Sequence, residues 1–441
     1  MALPLAKADL GTFFEPFQNE LHKGKDLTSC VTPIINPTTW HTQVPSKMHV
    51  SQTDNNEVTY TANNGMHHLR HVYMRAFFPR LSVRKEHQDN VEICWASNPG
   101  HNIVSKVQFK IDDDVLCSHD SVYYDMYAQH YIQDKGQYYE DIGNRPHLQE
   151  WGSSLPAFTA TVPQPMSFSR TTSQAIPMLL SPNSSYTFRY VLRLGVGDLL
   201  RMRIKSKEGP WKELATVNLA WLEGYSSDGK LKTPELWARY IHLSEDEHDW
   251  WIKCKDDFNY YLEDVITCDT TTAAEHSSIV SVELDCKTPC KAILWVAENV
   301  RARTSHNFSN YTTNSLEADQ GKHPIQRITF MYNGMARLEE MDIEHFSIAE
   351  PFHYFPARPN KQGYASISFA EEPNNQKDAD IGLVLNGKKA QLICTLRDED
   401  LGDEPGEVSD EKFIIRVRLI VMRKLTFKKD LEKKRHIISV T

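Results

Sequence analysis

The chain has 441 residues, 40% of them hydrophobic and 24% charged, with a formal net charge of −9. That length exceeds what one compact core usually holds, so two domains are expected. The acidic balance excludes a nucleic-acid coat, which needs a basic surface to neutralise phosphates.

The opening MALPLAKADLGTFFEPF lacks a continuous apolar core, so no signal peptide is expected. Within residues 1–28, Leu10, Phe13, Phe14, Phe17 and Leu21 recur at helical spacing. This predicts a short amphipathic N-terminal helical arm, packed either on its own domain or on a partner or membrane surface. The pattern then turns to β. EVTYTAN (57–63), HVYMRAFFPRLSV (71–83) and VSKVQFKI (104–111) are rich in branched and aromatic residues. In YTFRYVLRL (186–194), Tyr186, Phe188, Tyr190, Leu192 and Leu194 share one face. Burying five such side chains is worth roughly 8–15 kcal/mol as an upper bound.

A second set of strands is predicted at ELATVNLAW (213–221), SIVSVEL (278–284), KAILWVA (291–297), IQRITFM (325–331), YASISF (364–369) and FIIRVRLIVM (413–422). Asn386-Gly387 lies between two strand-like runs and predicts a tight hairpin. DFNYYLEDV (257–265) reads as a short helix. Two connections, 128–160 and 222–275, are too long for ordinary turns and are expected to carry contacts. Acidic residues crowd 398–411, and seven Lys/Arg lie between Arg423 and Arg435. The layout is all-β, with two domains in tandem after the arm: 29–208 and 209–441.

Tests for chemistry return little. Asp112, Asp113 and Asp114 follow the strand 104–111; adjacent side chains on an extended chain diverge, so a turn is the preferred reading over a cation site. His67 and His71 would share a face on a helix and bind zinc there, but the stretch runs straight into a strand. The eight cysteines are scattered and read as reduced thiols, and no run of about 18 apolar residues is present to span a bilayer. Cys286 and Cys290, with Cys254 and Cys268, offer four sulfurs at a spacing unlike a zinc knuckle; small apolar residues are preferred over a metal site or disulfide. Nucleophile elbows, phosphate loops and dinucleotide fingerprints are missing. No catalytic, cofactor or metal residue is assigned, and no enzyme is expected. Sequons at Asn183, Asn307 and Asn310 mark expected exposed loops, which without a signal peptide stay bare.

Several stretches resemble, in one collinear order, the major capsid proteins of nucleocytoplasmic large DNA viruses, especially the iridovirus-like group. They are CWASNPGHNIVSKVQFKIDDDVL (94–116), GQYYEDIGNRPHL (136–148), PQPMSFSRTTSQAIPMLLSPNSSYTFRYVLR (163–193), LWVAENVRARTSHNFSNYTT (294–313) and MYNGMARLEEMDIEHFSIAEPFHYF (331–355). The N-terminal 85 residues match weakly. The resemblance implies two tandem eight-stranded jelly-roll sandwiches with long inserted loops. It further implies a homotrimeric, pseudo-hexagonal capsomer tiling an icosahedral shell, in the virion after assembly in the host cytoplasm. The loops 128–160 and 222–275 would form outer towers. Implied partners are the chain itself, neighbouring capsomers, minor capsid or penton proteins, and an internal membrane met by the arm; no nucleic acid is expected. The rival readings are a two-sandwich carbohydrate-binding or carbohydrate-processing protein, with Trp250, Trp251, Tyr260 and Tyr261 stacking on sugars, and a related scaffolding or minor capsid protein.

Overall fold

The computed structural model describes residues 43–440 apart from 55, 171–173, 206–208, 254–257, 271–278, 374–381, 398–411 and 431–434. The predicted N-terminal arm lies outside the described residues.

The first sandwich contains β1 (Gln43–Lys47), β2 (Glu57–Thr61), β3 (His68–Phe78), β4 (Val104–Ile111), β5 (Asp114–Asp120), β6 (Phe158–Pro163), β7 (Tyr186–Leu192) and β8 (Lys232–Ile241). They pair antiparallel as β1-β8-β3-β6 and β2-β7-β4-β5, with His49–Asp54 added beside β2. The second contains β9 (Phe258–Asp269), β10 (Ile279–Leu284), β11 (Cys290–Asn299), β12 (Ile325–Tyr332), β13 (Met335–Asp342), β14 (Tyr364–Ser368), β15 (Ala390–Leu396) and β16 (Phe413–Asp430). These pair as β9-β16-β11-β14 and β10-β15-β12-β13. Counted from the start of each half, both sandwiches follow the orders 1-8-3-6 and 2-7-4-5. Two sheets of four antiparallel strands joined in this interleaved way make a jelly roll, so the chain holds two of them.

The alternation in sequence explains the inner faces. In β7, Tyr186, Phe188, Tyr190 and Leu192 are buried while Arg189 is exposed. β8 follows the same rule: Pro234, Leu236, Ala238 and Tyr240 point inward. Because β8 lies between β1 and β3, the first sandwich runs on to Ile241, past residue 208. The stretch 213–221, expected as a strand, extends only over Trp211–Glu213 before a loop and a short 3-10 turn at Leu219–Trp221. DFNYYLEDV is not a helix but the start of β9. Its period is two, with Tyr260 and Leu262 buried beside half-buried Tyr261.

β11 differs, since all ten of its residues are buried. Ile293, Trp295 and Ala297 face the second core. Ala292, Leu294 and Val296 face outward, and there they meet Val122, Tyr123 and Met126 of α1 (Ser121–Tyr131). This helix leaves the end of β5 in the first sandwich and lies on the second. A strand covered on both faces reads as a continuous apolar run. A helix with every residue but Tyr127 buried has no polar stripe, which is why no helix was expected there.

The connection 128–160 is not one plain loop: it begins in α1 and continues through α2 (Lys135–Asp141), with Tyr138, Tyr139, Ile142 and Leu148 buried, and 222–275 holds β8, α3 (Glu245–Lys253) and β9. Extra pairing links the three connections of the first sandwich that follow β3, β5 and β7. Val91–Trp95 pairs with Leu200–Lys205, which pairs with Trp211–Glu213. Leu81–Val83 pairs with both Ser154–Leu155 and Leu222–Glu223. Asn386-Gly387 does make a tight turn, with Gly387 at φ 65. It joins no hairpin, however, because Leu383 bridges to Cys290 in one sheet while β15 enters the other.

Candidate functional site

The chemistry of this chain is concentrated where the two sandwiches meet. At its centre Asp125, fully buried on α1, accepts from Asn98 Nδ2 and His101 Nδ1 at 2.7 Å each, and from the Tyr311 hydroxyl at 2.9 Å. A carboxylate only accepts, so His101 donates through Nδ1. Its Nε2 lies 2.9 Å from the Tyr138 hydroxyl of α2. Asn98 sits at φ 48, a left-handed position asparagine tolerates, and its Oδ1 accepts from Asn144 Nδ2 at 2.7 Å. Asn102 Nδ2 donates to Ser309 Oγ at 2.9 Å. A Cβ on Gly100 would stand 2.7 Å from the Ile142 carbonyl, so the approach of these two turns requires glycine. Thus residues 98–102, 138–144 and 309–311, each within a stretch that carries the resemblance, join one network around Asp125.

Beside this node runs a row of ion pairs. Arg418 of β16, 1% exposed in its side chain, reaches Asp120 and Asp269, each at 2.5 Å. Burial pulls its guanidinium down, but the two carboxylates outweigh that and hold it above its ordinary value. Asp120 also caps α1, accepting from Tyr123 N at 2.9 Å. Arg170, between β6 and β7, grips Glu263 of β9 with two bonds of 2.7 Å, and the Tyr123 hydroxyl adds a third at 2.9 Å. Burial pushes Glu263 up, but Arg170 prevails and keeps its carboxyl below the usual range. Arg423 bonds Asp264 at 2.8 Å and the Val115 carbonyl at 3.1 Å. β9 and β16 stay in unbroken register from Phe258↔Phe427 to Asp269↔Arg416. Tyr260, Leu262, Leu425 and Phe427 belong to the first core, while Val417, Leu419 and Val421 belong to the second. In these nodes the carboxylates are engaged by buried donors and guanidinium groups, an arrangement that holds geometry.

The other residues singled out by sequence fall elsewhere. Asp112–Asp114 turn the chain from β4 to β5: Asp112 takes φ 54, and its backbone N and Oδ1 bond Ser185 O and N at 2.8 and 2.7 Å. His67 and His71 do not share a helical face. His67 precedes β3 and accepts from Leu243 N at 2.8 Å, and burial holds His71 down to about 4. Cys268, Cys286 and Cys290 are free thiols, and Cys254 lies outside the described residues. Among the described residues no group of His, Cys, Asp and Glu is arranged to hold a metal ion. Trp251 and Tyr260 are core residues, each 4% exposed, so these two rings cannot stack on a sugar; Tyr261 is half-buried, and the Trp250 side chain lies outside the described residues. Asn183 is exposed, but Asn307 and Asn310 are buried, with their amides spent on the carbonyls of Ser315 and Asn314 at 2.8 Å, so these two sequons do not mark exposed loops. The basic end is no loose tail, since Arg435–Val440 pairs back on β16. Sequence reading missed Asp125, Arg170 and Arg418. Isolated charges in apolar strands and helices were the available signal.

Comparison with known proteins accords with this architecture. Residues 253–379 match the family model for the large eukaryotic DNA virus major capsid protein. The major capsid protein of Frog virus 3 (isolate Goorha) is 22% identical over 426 residues, spanning 89% of this chain and 87% of the relative. That of Invertebrate iridescent virus 6 is 22% identical over 391 residues, 81% and 80% of the two chains. Among solved structures, PBCV-1 VP54, fitted into a reconstruction of the virophage Sputnik, superposes with a TM-score of 0.66 over 92% of this chain and 97% of that one, at 12% identity. The Faustovirus major capsid protein gives 0.63 over 95% and 98%, at 8% identity. Along most of its length the chain is thus similar in sequence to the major capsid proteins of large eukaryotic DNA viruses, and it has the fold of the solved double jelly-roll capsid proteins.

Proposed function

We propose that three copies of this chain close into a capsomer of near-hexagonal outline, and that such capsomers tile an icosahedral shell. One observation carries the reading: two sandwiches of identical strand order are fused through a buried seam. Three chains then present six similar lobes, so a threefold object fills a sixfold place. Buried polar nodes suit that task because they fix one relative placement of the lobes, where apolar packing alone tolerates several. The role is structural rather than catalytic. Neighbouring capsomers and minor or penton proteins are the partners in this reading, with the N-terminal arm set toward them or toward an internal membrane and assembly occurring in the host cytoplasm. Light scattering on the purified chain tests it. The expected mass is three times the 50.8 kDa of one chain, with six-lobed particles in negative stain. A stable monomer at micromolar concentration, or particles without six lobes, would refute it.

A further inference from the structure

A second concentration of charge lies away from the seam. A cleft of ≈ 650 Å³ opens on the second sandwich, lined by Lys322, Arg358, Lys361 and Arg397 against Glu344 as the one acidic lining residue among those described. Arg358, Lys361 and Arg397 form no ion pair among the described residues. Arg397 Nε is spent on the His323 carbonyl at 2.9 Å, and the Lys361 ammonium stands 4.7 Å from the Tyr139 ring centroid. A chain of net charge −9 thus gathers in one place three cations without a direct ion pair, although Asp125 and Asp319 lie near enough to act on Lys361 through space.

The cleft wall is held in place by the first sandwich. Lys135 Nζ donates to the Arg358 carbonyl at 2.9 Å, Asn360 N to Gln129 Oε1 at 2.8 Å, and Ala357 N to the His130 carbonyl at 3.0 Å. His323, buried in the same wall, accepts from Ile325 N through Nδ1, which leaves its hydrogen on Nε2. That N–H has no acceptor among the described residues. Buried donors are ordinarily satisfied, so the wall is short of an acceptor at His323 as well as rich in positive charge.

We propose that this cleft binds an oligoanion carrying two or more phosphate or sulfate groups. A guanidinium presents a planar fork of donors that fits such oxygens, and a fixed wall spares the bound state the cost of ordering side chains. The volume falls in the range of small-ligand sites. Several cations without a direct ion pair favour more than one anionic group, since a single phosphate does not reach them all.

Titration calorimetry on the full chain tests this, with inorganic tripolyphosphate in one arm and sucrose octasulfate in the other to separate phosphate from sulfate. Saturable binding of at least one probe is expected, weakening as salt rises because the cleft is open to solvent. Arg358→Gln combined with Lys361→Gln should weaken it about tenfold or more, the loss of roughly one strong charge contact. Both side chains belong to exposed residues, so the variant should melt with the parent. Lys106→Gln, on β4, should change nothing. The proposal is overturned if neither probe binds saturably, or if the double variant binds as the parent does.

Discussion

Replacing Asp125 by alanine removes the one acceptor shared by Asn98, His101 and Tyr311. Each buried donor left without a partner costs about 1–3 kcal/mol, so three cost roughly 3–9 kcal/mol, less whatever a water entering the vacated space restores. Against a usual stability of about 5–15 kcal/mol, that is a large fraction. Asp125→Asn gives an internal check. Its remaining oxygen still serves Asn98 and His101, and the Tyr311 hydroxyl can turn to accept from the new amide, so the expected cost is only about 1–2 kcal/mol. Urea unfolding followed by tryptophan fluorescence reads both halves, since Trp95 and Trp295 are each fully buried in one core. An alanine variant within about 1 kcal/mol of the parent, or asparagine as costly as alanine, would refute the claim that this carboxyl group organises the node.

Arg418→Met should cost about 2–4 kcal/mol in the same assay, since it leaves Asp120 and Asp269 facing each other, and adding Asp120→Asn with Asp269→Asn should recover most of it. Stability should also fall with acid: burial holds His68 and His323 down to about 3, and His119 and His130 to about 4, so all four are neutral when folded and take up protons on unfolding. Their contribution is intact above about pH 6.5 and declines toward about pH 4, by up to about 1.4 kcal/mol per ring per pH unit; an unfolding midpoint unchanged between about pH 6.5 and 5 would contradict this. Asn307→Ala should destabilise by about 1–3 kcal/mol because the Ser315 and Leu316 carbonyls lose their donor, whereas Asn183→Ala should stay within about 0.5 kcal/mol, both read from thermal melts.

Strands whose two faces meet different surroundings were legible from sequence: β4 and β7 announce themselves by period two. β8 was missed because Pro234 and Glu235 near its start disguise the same alternation. α1 was missed for the opposite reason, being buried on all sides and so lacking the amphipathic stripe that marks a helix. The Asp112–Asp114 turn followed from side-chain geometry alone. The seam did not, because its partners are far apart in the chain: Arg418 and Asp120 are 298 positions apart, and no local pattern records such a pairing.

The paired strands β9 and β16 pass without a break from one core into the other. The ribbon acts as a spine, and bending one lobe against the other would shear twelve consecutive residue pairs at once. In the shell proposed above, swelling or indentation would therefore fall on the joints between chains, with each chain moving as one stiff tile.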